Sequence, residues 1–129
     1  MKYNYTAILV PDTDRSKYFC RVPDLPGCIT TGKDLDDAIN MITDAASGWL
    51  VVAEDEENEI PSPTPQAMLN IPPEAVCSIL CIDTLAYRAA TDTKSVRKNV
   101  SLPAWMAMLA EKRGINCSKV LQEGLRKLL

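Results

Sequence analysis

Residues 95–129 read SVRKNVSLPAWMAMLAEKRGINCSKVLQEGLRKLL, and this stretch carries the clearest structural pattern of the chain. Apolar and polar residues alternate over residues 96–102, which predicts a strand whose polar face is formed by Arg97, Asn99 and Ser101. A lone strand of this length leaves both of its edges unpaired and is marginal in water. Because nothing nearby in sequence offers a partner, we predict that it pairs with a second copy of itself.

Two helices are predicted to follow this strand. Pro103 suits the first position of a helix, where its missing N–H costs nothing, and apolar residues recur at helical spacing up to Leu109. Gly114 can end that helix, and Asn116 can cap a second one with its own apolar stripe. Two copies would form a homodimer in which a two-stranded ribbon, narrow enough for a DNA major groove, lies on four helices.

The net charge of −3 conceals two oppositely charged parts. Residues 94–129 carry eight Lys or Arg against two Asp or Glu, a net +6, whereas residues 1–93 carry six against fifteen, a net −9. Such an asymmetry favours a nucleic-acid-binding end joined to an acidic domain that has a different partner.

The N-terminal part is predicted to have the element order β-β-β-α-β. Alternating residues predict strands over 3–10 and 18–22, and a two-proline turn precedes a short third strand over 29–31. Asp34 lies where an N-cap belongs, and apolar residues at helical spacing predict a helix over 35–53. The apolar run AVCSILCID, residues 75–83, predicts a strand buried on both faces.

Together these patterns predict an α+β protein of two domains. The N-terminal domain spans residues 1–88, a hinge spans 89–94, and the C-terminal domain spans 95–129. The segment IPSPTP, residues 60–65, is expected to be a stiff, extended connector between the long helix and the last strand. Both the connector and the hinge are expected to be open to proteases.

Metal, cofactor and membrane binding are not expected. The five cysteines follow no CxxC spacing and no histidine is present, so they are predicted to be reduced core thiols: Cys20, Cys28, Cys77, Cys81 and Cys117. No Gly-rich loop precedes a helix, which argues against a nucleotide cofactor. The absence of a signal peptide and of an apolar run of membrane length predicts a cytoplasmic protein.

No catalytic residue is predicted. A two-metal nuclease site needs several carboxylates gathered at strand ends. Asp24 is better explained by local backbone N–H groups of its turn, and Asp83 by the capping of a helical segment after it. The serines and cysteines have no base partner, so nucleophilic catalysis has no support.

The C-terminal order of strand, helix and helix resembles the ribbon-helix-helix repressors, which read DNA with a β-ribbon. The resemblance implies that the polar strand face reads base edges, since Arg and Asn suit G and A. It also implies that the start of the second helix, at Asn116, Ser118 and Lys119, binds a DNA phosphate through backbone N–H groups and the helix dipole.

Nearly the whole chain resembles the HicB family of antitoxins, through its element order and three segments: PDLPGC at 23–28, DLDDAI at 34–39 and SLP at 101–103. The resemblance implies a partial RNase H-like N-terminal domain that neutralises a HicA-type mRNA interferase toxin. It also implies a ribbon-helix-helix homodimer, or a higher oligomer, that represses its own operon. A toxin that handles RNA should be basic, so the predicted toxin contact is the acidic run Glu54, Asp55, Glu56 and Glu57.

Two alternatives remain open at this point. The chain could be a stand-alone regulator whose N-terminal domain senses a ligand, although no cofactor motif supports this. Its C-terminal domain could be a helix-turn-helix, because Ala110, Gly114 and Val120 suit that spacing as well. A helix-turn-helix usually needs a further helix, whereas only a strand is predicted before Leu102.

Overall fold

Four strands build one antiparallel sheet. The computed structural model, which describes residues 1–14 and 16–129, has β1 at Lys2–Pro11, β2 at Tyr18–Arg21, β3 at Ile29–Gly32 and β4 at Val76–Asp83. The order across the sheet is β3-β2-β1-β4. The central strand β1 pairs with β4 continuously, from Lys2 opposite Asp83 to Leu9 opposite Val76. The predicted order β-β-β-α-β is therefore present.

One long helix, α1 at Leu35–Asp55, covers one face of this sheet. Asp34 caps it as predicted, because its carboxylate accepts a hydrogen bond from the backbone N–H of Asp37 at 2.8 Å. The Asp37 carboxylate in turn accepts from the backbone N–H of Lys33 at 2.8 Å. This reciprocal pair satisfies the N–H of Asp37 in the first turn of α1 and the N–H of Lys33 just before the cap.

The core lies between α1 and the sheet. Tyr5, Ala7 and Leu9 alternate along β1 and face the helix, whereas Thr6 and Ile8, on the opposite face of this strand, are buried as well. The start of α1 lies directly on β3: a Cβ added to Gly32 would lie 2.3 Å from the Cα of Ala38. Only glycine fits this contact.

β4 is not buried on both faces, so that prediction was wrong. Leu80 and Ile82 face the core and are each 3% exposed, whereas Ile79 is 64% exposed. β4 is the last strand of the sheet and α1 packs on only one of its faces, so alternate side chains meet solvent. Because it is an edge strand, its apolar run does not imply two covered faces.

The cysteines are likewise divided between the core and the exposed surface. All five are free, and only Cys20 and Cys28 are buried in the core. Cys77 is half-buried, whereas Cys81 and Cys117 are exposed, so the prediction of five core thiols was wrong for these three. Cys77 and Cys81 do share a strand face with Ile79, but that face is the one turned away from the helix.

The connector between α1 and β4 contains one 3-10 turn at Gln66–Met68. Hydrogen bonds hold it to β1 and to the turn between β2 and β3. The Tyr5 hydroxyl donates a hydrogen bond to the Pro61 carbonyl. The Asp24 carboxylate accepts from the backbone N–H of Thr64 at 2.9 Å and also from its hydroxyl. The partner of Asp24 is therefore a distant connector residue rather than its own turn, and the predicted extended segment is held in place.

The chain divides into two units, Met1–Thr93 and Lys94–Leu129, which we call the body and the tail. The body ends with α2 at Thr84–Thr91, so the first residues of the predicted hinge are helical. The tail contains α3 at Ala104–Lys112 and α4 at Cys117–Leu128. No helix among the described residues is long and apolar enough to cross a membrane.

The strand predicted over residues 96–102 is not formed in the single chain. Residues 92–103 belong to neither a helix nor a strand. A strand is held by hydrogen bonds to a neighbouring strand, and the prediction assigned that role to a second copy. The single chain accordingly leaves this segment unpaired.

Candidate functional surfaces

The turn between α3 and α4 follows the sequence prediction closely. Gly114 has a φ of 64°, a left-handed conformation that suits glycine after a helix end. The side chain of Asn116 caps α4 by accepting a hydrogen bond from the backbone N–H of Lys119 at 3.2 Å. Ser118 and Lys119 are exposed in the first turn of α4, where backbone N–H groups point outward. An anion near this helix start would meet donors and a positive charge.

The apolar stripes of α3 and α4 are exposed in the single chain. Trp105 is 60% exposed, and every other large apolar residue of the two helices is exposed as well. These residues are Met106, Met108, Leu109, Val120, Leu121, Leu125 and Leu128. A patch of this kind on a small helical unit marks a surface that another molecule covers.

The three residues predicted to read DNA bases lie in the segment before α3. Arg97, Asn99 and Ser101 are all exposed. The alternation predicted for them requires an extended backbone paired with a neighbour, which the single chain does not contain. Their role in DNA reading therefore stays a prediction.

Three donors converge on the carboxylate of Glu54 at the end of α1. Its Oε2 accepts from the Tyr3 hydroxyl at 2.8 Å and from the Thr84 hydroxyl at 3.0 Å, and its Oε1 accepts from the Arg88 guanidinium at 3.2 Å. Burial by itself would raise the pKa of this carboxyl, but the hydrogen bonds outweigh it and hold the pKa below its usual range. Burial, together with the bond to Glu54, raises the pKa of Tyr3 to about 12.

The four acidic residues predicted to contact a toxin do not have equal surroundings. Asp55 also engages Arg88, with its Oδ1 at 2.7 Å from the guanidinium. Glu56 and Glu57 are exposed beyond the end of α1, and Glu57 has a φ of 55° where the chain turns away. The structure thus engages both Glu54 and Asp55 with Arg88, but only Glu54 is largely buried, whereas Asp55, Glu56 and Glu57 are exposed.

A groove beside this acidic end was not anticipated from the sequence. It has a volume of about 420 Å³ and runs between the turn at Gly27 and the C-terminal half of α1. Trp49 and Val52 form its apolar wall, and Glu59 lies at its rim. The Trp49 ring is fixed by a hydrogen bond from its Nε1 to the Pro26 carbonyl at 3.0 Å. Val52 is more than half exposed because it lies outside the stripe of α1 that packs on the sheet. An apolar residue outside that stripe is the signal by which the sequence could have indicated this groove.

The carboxylates considered for metal binding have other partners. Asp83 caps α2, as predicted, by accepting from the backbone N–H groups of Leu85 and Ala86 at 3.0 and 3.3 Å. Asp24 is engaged by Thr64. Within residues 1–14 and 16–129, no group of three metal-ligating side chains is present.

Together these features describe a small mixed α/β protein with an acidic body and a basic helical tail. The family model described as "HicB_like antitoxin of bacterial toxin-antitoxin system" matches residues 5–122. The chain belongs to this family of HicB-like antitoxins.

Two solved structures share the fold. A toxin-antitoxin complex from Streptococcus pneumoniae aligns with a TM-score of 0.62 and 19% identity, over 100% of this chain and 100% of that one. The crystal structure of the antitoxin HicB from Burkholderia pseudomallei aligns with a TM-score of 0.54 and 23% identity, over 98% of each chain. No curated protein matches the chain.

Proposed function

We propose that this chain is the antitoxin of a type II toxin-antitoxin system. Its body, a partial RNase H-like domain without catalytic activity, neutralises a HicA-type ribonuclease by binding it. Its tail dimerises as a ribbon-helix-helix unit, binds operator DNA and represses the operon in the cytoplasm. The observation that carries this proposal is the pairing of an acidic body with a basic tail whose apolar stripes are uncovered, in a chain of the HicB-like antitoxin family.

The positive charge of the tail and the exposed apolar residues of α3 and α4 support the proposal that the tail dimerises and binds DNA. A second copy is the simplest cover for two apolar stripes on a 36-residue unit, because the same surface then serves both partners. The same pairing would supply hydrogen bonds to residues 96–102 and turn Arg97 and Asn99 toward one face. The exposed start of α4, with Lys119, is suited to a backbone phosphate beside that face.

The body supports the toxin-binding part through the solvent-facing acids at the end of α1. A protein that binds RNA carries positive charge, and an acidic surface raises its rate of association and competes with RNA for the same face. Glu59 lines the apolar groove at Trp49 and Val52, and Glu56 and Glu57 precede it in the exposed segment after α1. Charge at the rim and apolar area at the centre is the usual composition of a protein interface.

Co-expression tests the proposal directly. The chain is expressed together with the protein encoded by the adjacent reading frame, and growth is scored with and without the antitoxin. Rescue of growth, with recovery of a small basic protein bound to the body, is the expected result. Failure to rescue growth against any neighbouring product contradicts the toxin-binding part.

A charge experiment then locates the toxin surface. The pair Glu56→Gln and Glu57→Gln should slow association with the toxin at low salt while leaving the fold unchanged, because both side chains face solvent. Glu74→Gln with Asp92→Asn is the matched control, since it removes the same charge from exposed positions elsewhere in the body. Equal association rates for the two double variants would remove this surface from the proposal.

A further inference from the structure

β4 is an edge strand without the features that usually protect an edge. It bonds to β1 along one side, and no described residue pairs with its other side. Residues 76–82, VCSILCI, contain no charge and no proline, and their pairing with β1 has no bulge. Natural edge strands are typically short, charged, bulged or covered, because an open ladder of N–H and C=O groups recruits another strand.

The opposite edge of the same sheet shows the contrast. β3 spans only Ile29–Gly32 and reads ITTG. Two of its residues are threonines, and its last residue is the glycine pressed against α1. A strand this short offers little for a neighbour to pair with. The unprotected edge of the body is therefore β4 alone among the described strands.

We propose that β4 pairs with β4 of a second copy, antiparallel about a two-fold axis at Ile79. The outward face of the strand reads the same in both directions, as Cys77, Ile79 and Cys81. In this register Ile79 lies opposite the partner's Ile79, and Cys77 lies opposite the partner's Cys81. The contact is self-complementary, as a two-fold interface requires, and joins two four-stranded sheets into one continuous sheet.

The exposure of β4 favours this occupant. Ile79 is 64% exposed although it stands in the middle of the strand, and Cys81 beside it is exposed as well. The proposed pairing places apolar side chains of two copies directly against one another, the arrangement that stabilises neighbouring strands. An uncharged strand also allows two acidic bodies to meet without like charges facing each other in the paired segment.

The register follows from the ends of the uncharged run. Pairing centred on Ile79 matches residue 76 with residue 82 and so uses the whole segment. A shift of two residues toward the C-terminus would place Asp83 opposite Cys77, and a shift toward the N-terminus would place Glu74 opposite Ile82. A shift of one residue would turn every core-facing side chain to the wrong face. The centred register is the one that keeps acids out of the apolar pairing.

Cysteine cross-linking tests the pairing and its register. Side chains directly opposite in an antiparallel pair have Cβ atoms about 4.5–5.5 Å apart, which a short thiol cross-linker such as dibromobimane spans. The full chain carrying Cys117→Ser is used, so that the remaining accessible thiols are Cys77 and Cys81. We expect a covalent dimer of this protein.

Single substitutions fix which thiols react. With Cys77→Ser alone or Cys81→Ser alone, no covalent dimer should form, because each thiol then faces a serine or lies too far from the other copy's thiol. Co-expression of the two single variants should restore the dimer, because Cys81 of one copy then faces Cys77 of the other. A covalent dimer from either single variant alone, or none from the parent chain, overturns the proposal.

A charge at the axis gives a second test. Ile79→Lys places two ammonium groups against each other across the two-fold axis, so cross-linking should fall at least tenfold while the circular dichroism spectrum is unchanged. Ile29→Lys is the matched control, because Ile29 is an isoleucine of similar exposure on the same sheet face at the far edge. Equal cross-linking by both variants overturns the pairing. So does a cross-link from β4 to a co-expressed toxin in place of the second copy.

This inference goes beyond the proposed function and does not depend on it. The tail pairing concerns residues 94–129, whereas the β4 pairing concerns the body. If operator binding or growth rescue fails, the β4 pairing still stands on the cross-linking result. If cross-linking fails, the proposed function still stands on operator binding and growth rescue.

Discussion

The Arg88 guanidinium lies 3.2 Å from the Oε1 of Glu54 and joins the last turn of α1 to α2. Tyr3 and Thr84 donate to the other oxygen of the same carboxylate, so Glu54 connects α1 and α2 to the end of the β1–β4 pair at which β1 begins and β4 ends. An acid that the sequence marks as part of a binding surface is thus a structural residue of the body.

Replacing Glu54 by glutamine should therefore destabilise the body. The amide keeps the shape but removes the charge that accepts three hydrogen bonds, and we expect the free energy of unfolding to fall by about 1–3 kcal/mol. Urea unfolding followed by Trp49 fluorescence, in a Trp105→Phe background, measures it. Glu59→Gln, an exposed acid just beyond α1, should stay within about 0.5 kcal/mol of the parent. A loss of equal size in both variants would contradict the role of Glu54.

The stabilisation by Glu54 should depend on pH in a defined direction. The folded-state pKa of this carboxyl lies below its ordinary value of 4.5, so in acid the folded chain binds fewer protons than the unfolded chain. Its contribution is complete above pH 4.5 and disappears as the pH falls through the folded-state pKa. The difference in unfolding free energy between the parent and Glu54→Gln should be largest at neutral pH and shrink in acid. A difference that is constant from neutral pH to pH 3 would refute it.

Gly32→Ala should disrupt the contact between β3 and α1. The added Cβ would lie 2.3 Å from the Cα of Ala38, a backbone atom that cannot move without shifting the helix. We expect a loss of about 3 kcal/mol in the free energy of unfolding, measured by urea unfolding. Gly48→Ala is the control within the same unit. Its Cβ would lie 3.5 Å from the Tyr87 hydroxyl, an ordinary contact, and helix propensity favours alanine by about 0.5–1 kcal/mol. A tolerated Gly32→Ala would show that α1 can move off β3.

Alanine at Arg97 and Asn99 should abolish operator specificity without changing the fold. Each base contact of this kind contributes about 1–3 kcal/mol of discrimination. Lys119→Ala should instead weaken binding to all sequences and reduce the salt dependence by about one unit of slope. Binding to operator and to random DNA over a range of salt concentrations separates the two effects. If specificity survives the first change and fails after changes over residues 118–122, the tail reads DNA with α4, as a helix-turn-helix would.

The elements that local sequence determines were predictable. Asp34 and Asn116 cap α1 and α4 because an oxygen at that position satisfies nearby N–H groups, and Gly114 has the left-handed backbone that a helix end requires. The helical repeat of α1 and the alternation of β1 also depend on neighbours within a few residues. Such local features need no knowledge of the rest of the fold.

The remaining features depend on contacts between distant residues. Nothing in AVCSILCID distinguishes a central strand from an edge strand, so the exposure of Ile79 and Cys81 was missed. In the sequence, Glu54 does not differ from its acidic neighbours. It becomes distinct only in the folded chain, where the sheet and α2 bring Tyr3 and Arg88 beside it. The groove at Trp49 likewise requires the turn at Gly27 to lie against α1. The predicted strand over residues 96–102 depends on a second molecule, which no single chain provides.

The connector between α1 and β4 is held at Pro61 and Thr64, whereas residues 92–103 are exposed and have no regular structure. Proteases act on backbone that is free to enter their active sites, so cleavage should begin in the second segment. A single cut there would separate an acidic fragment from a basic one. Under the proposed function, a cell would then lose toxin-binding bodies and operator-binding tails at different rates, although one message encodes both.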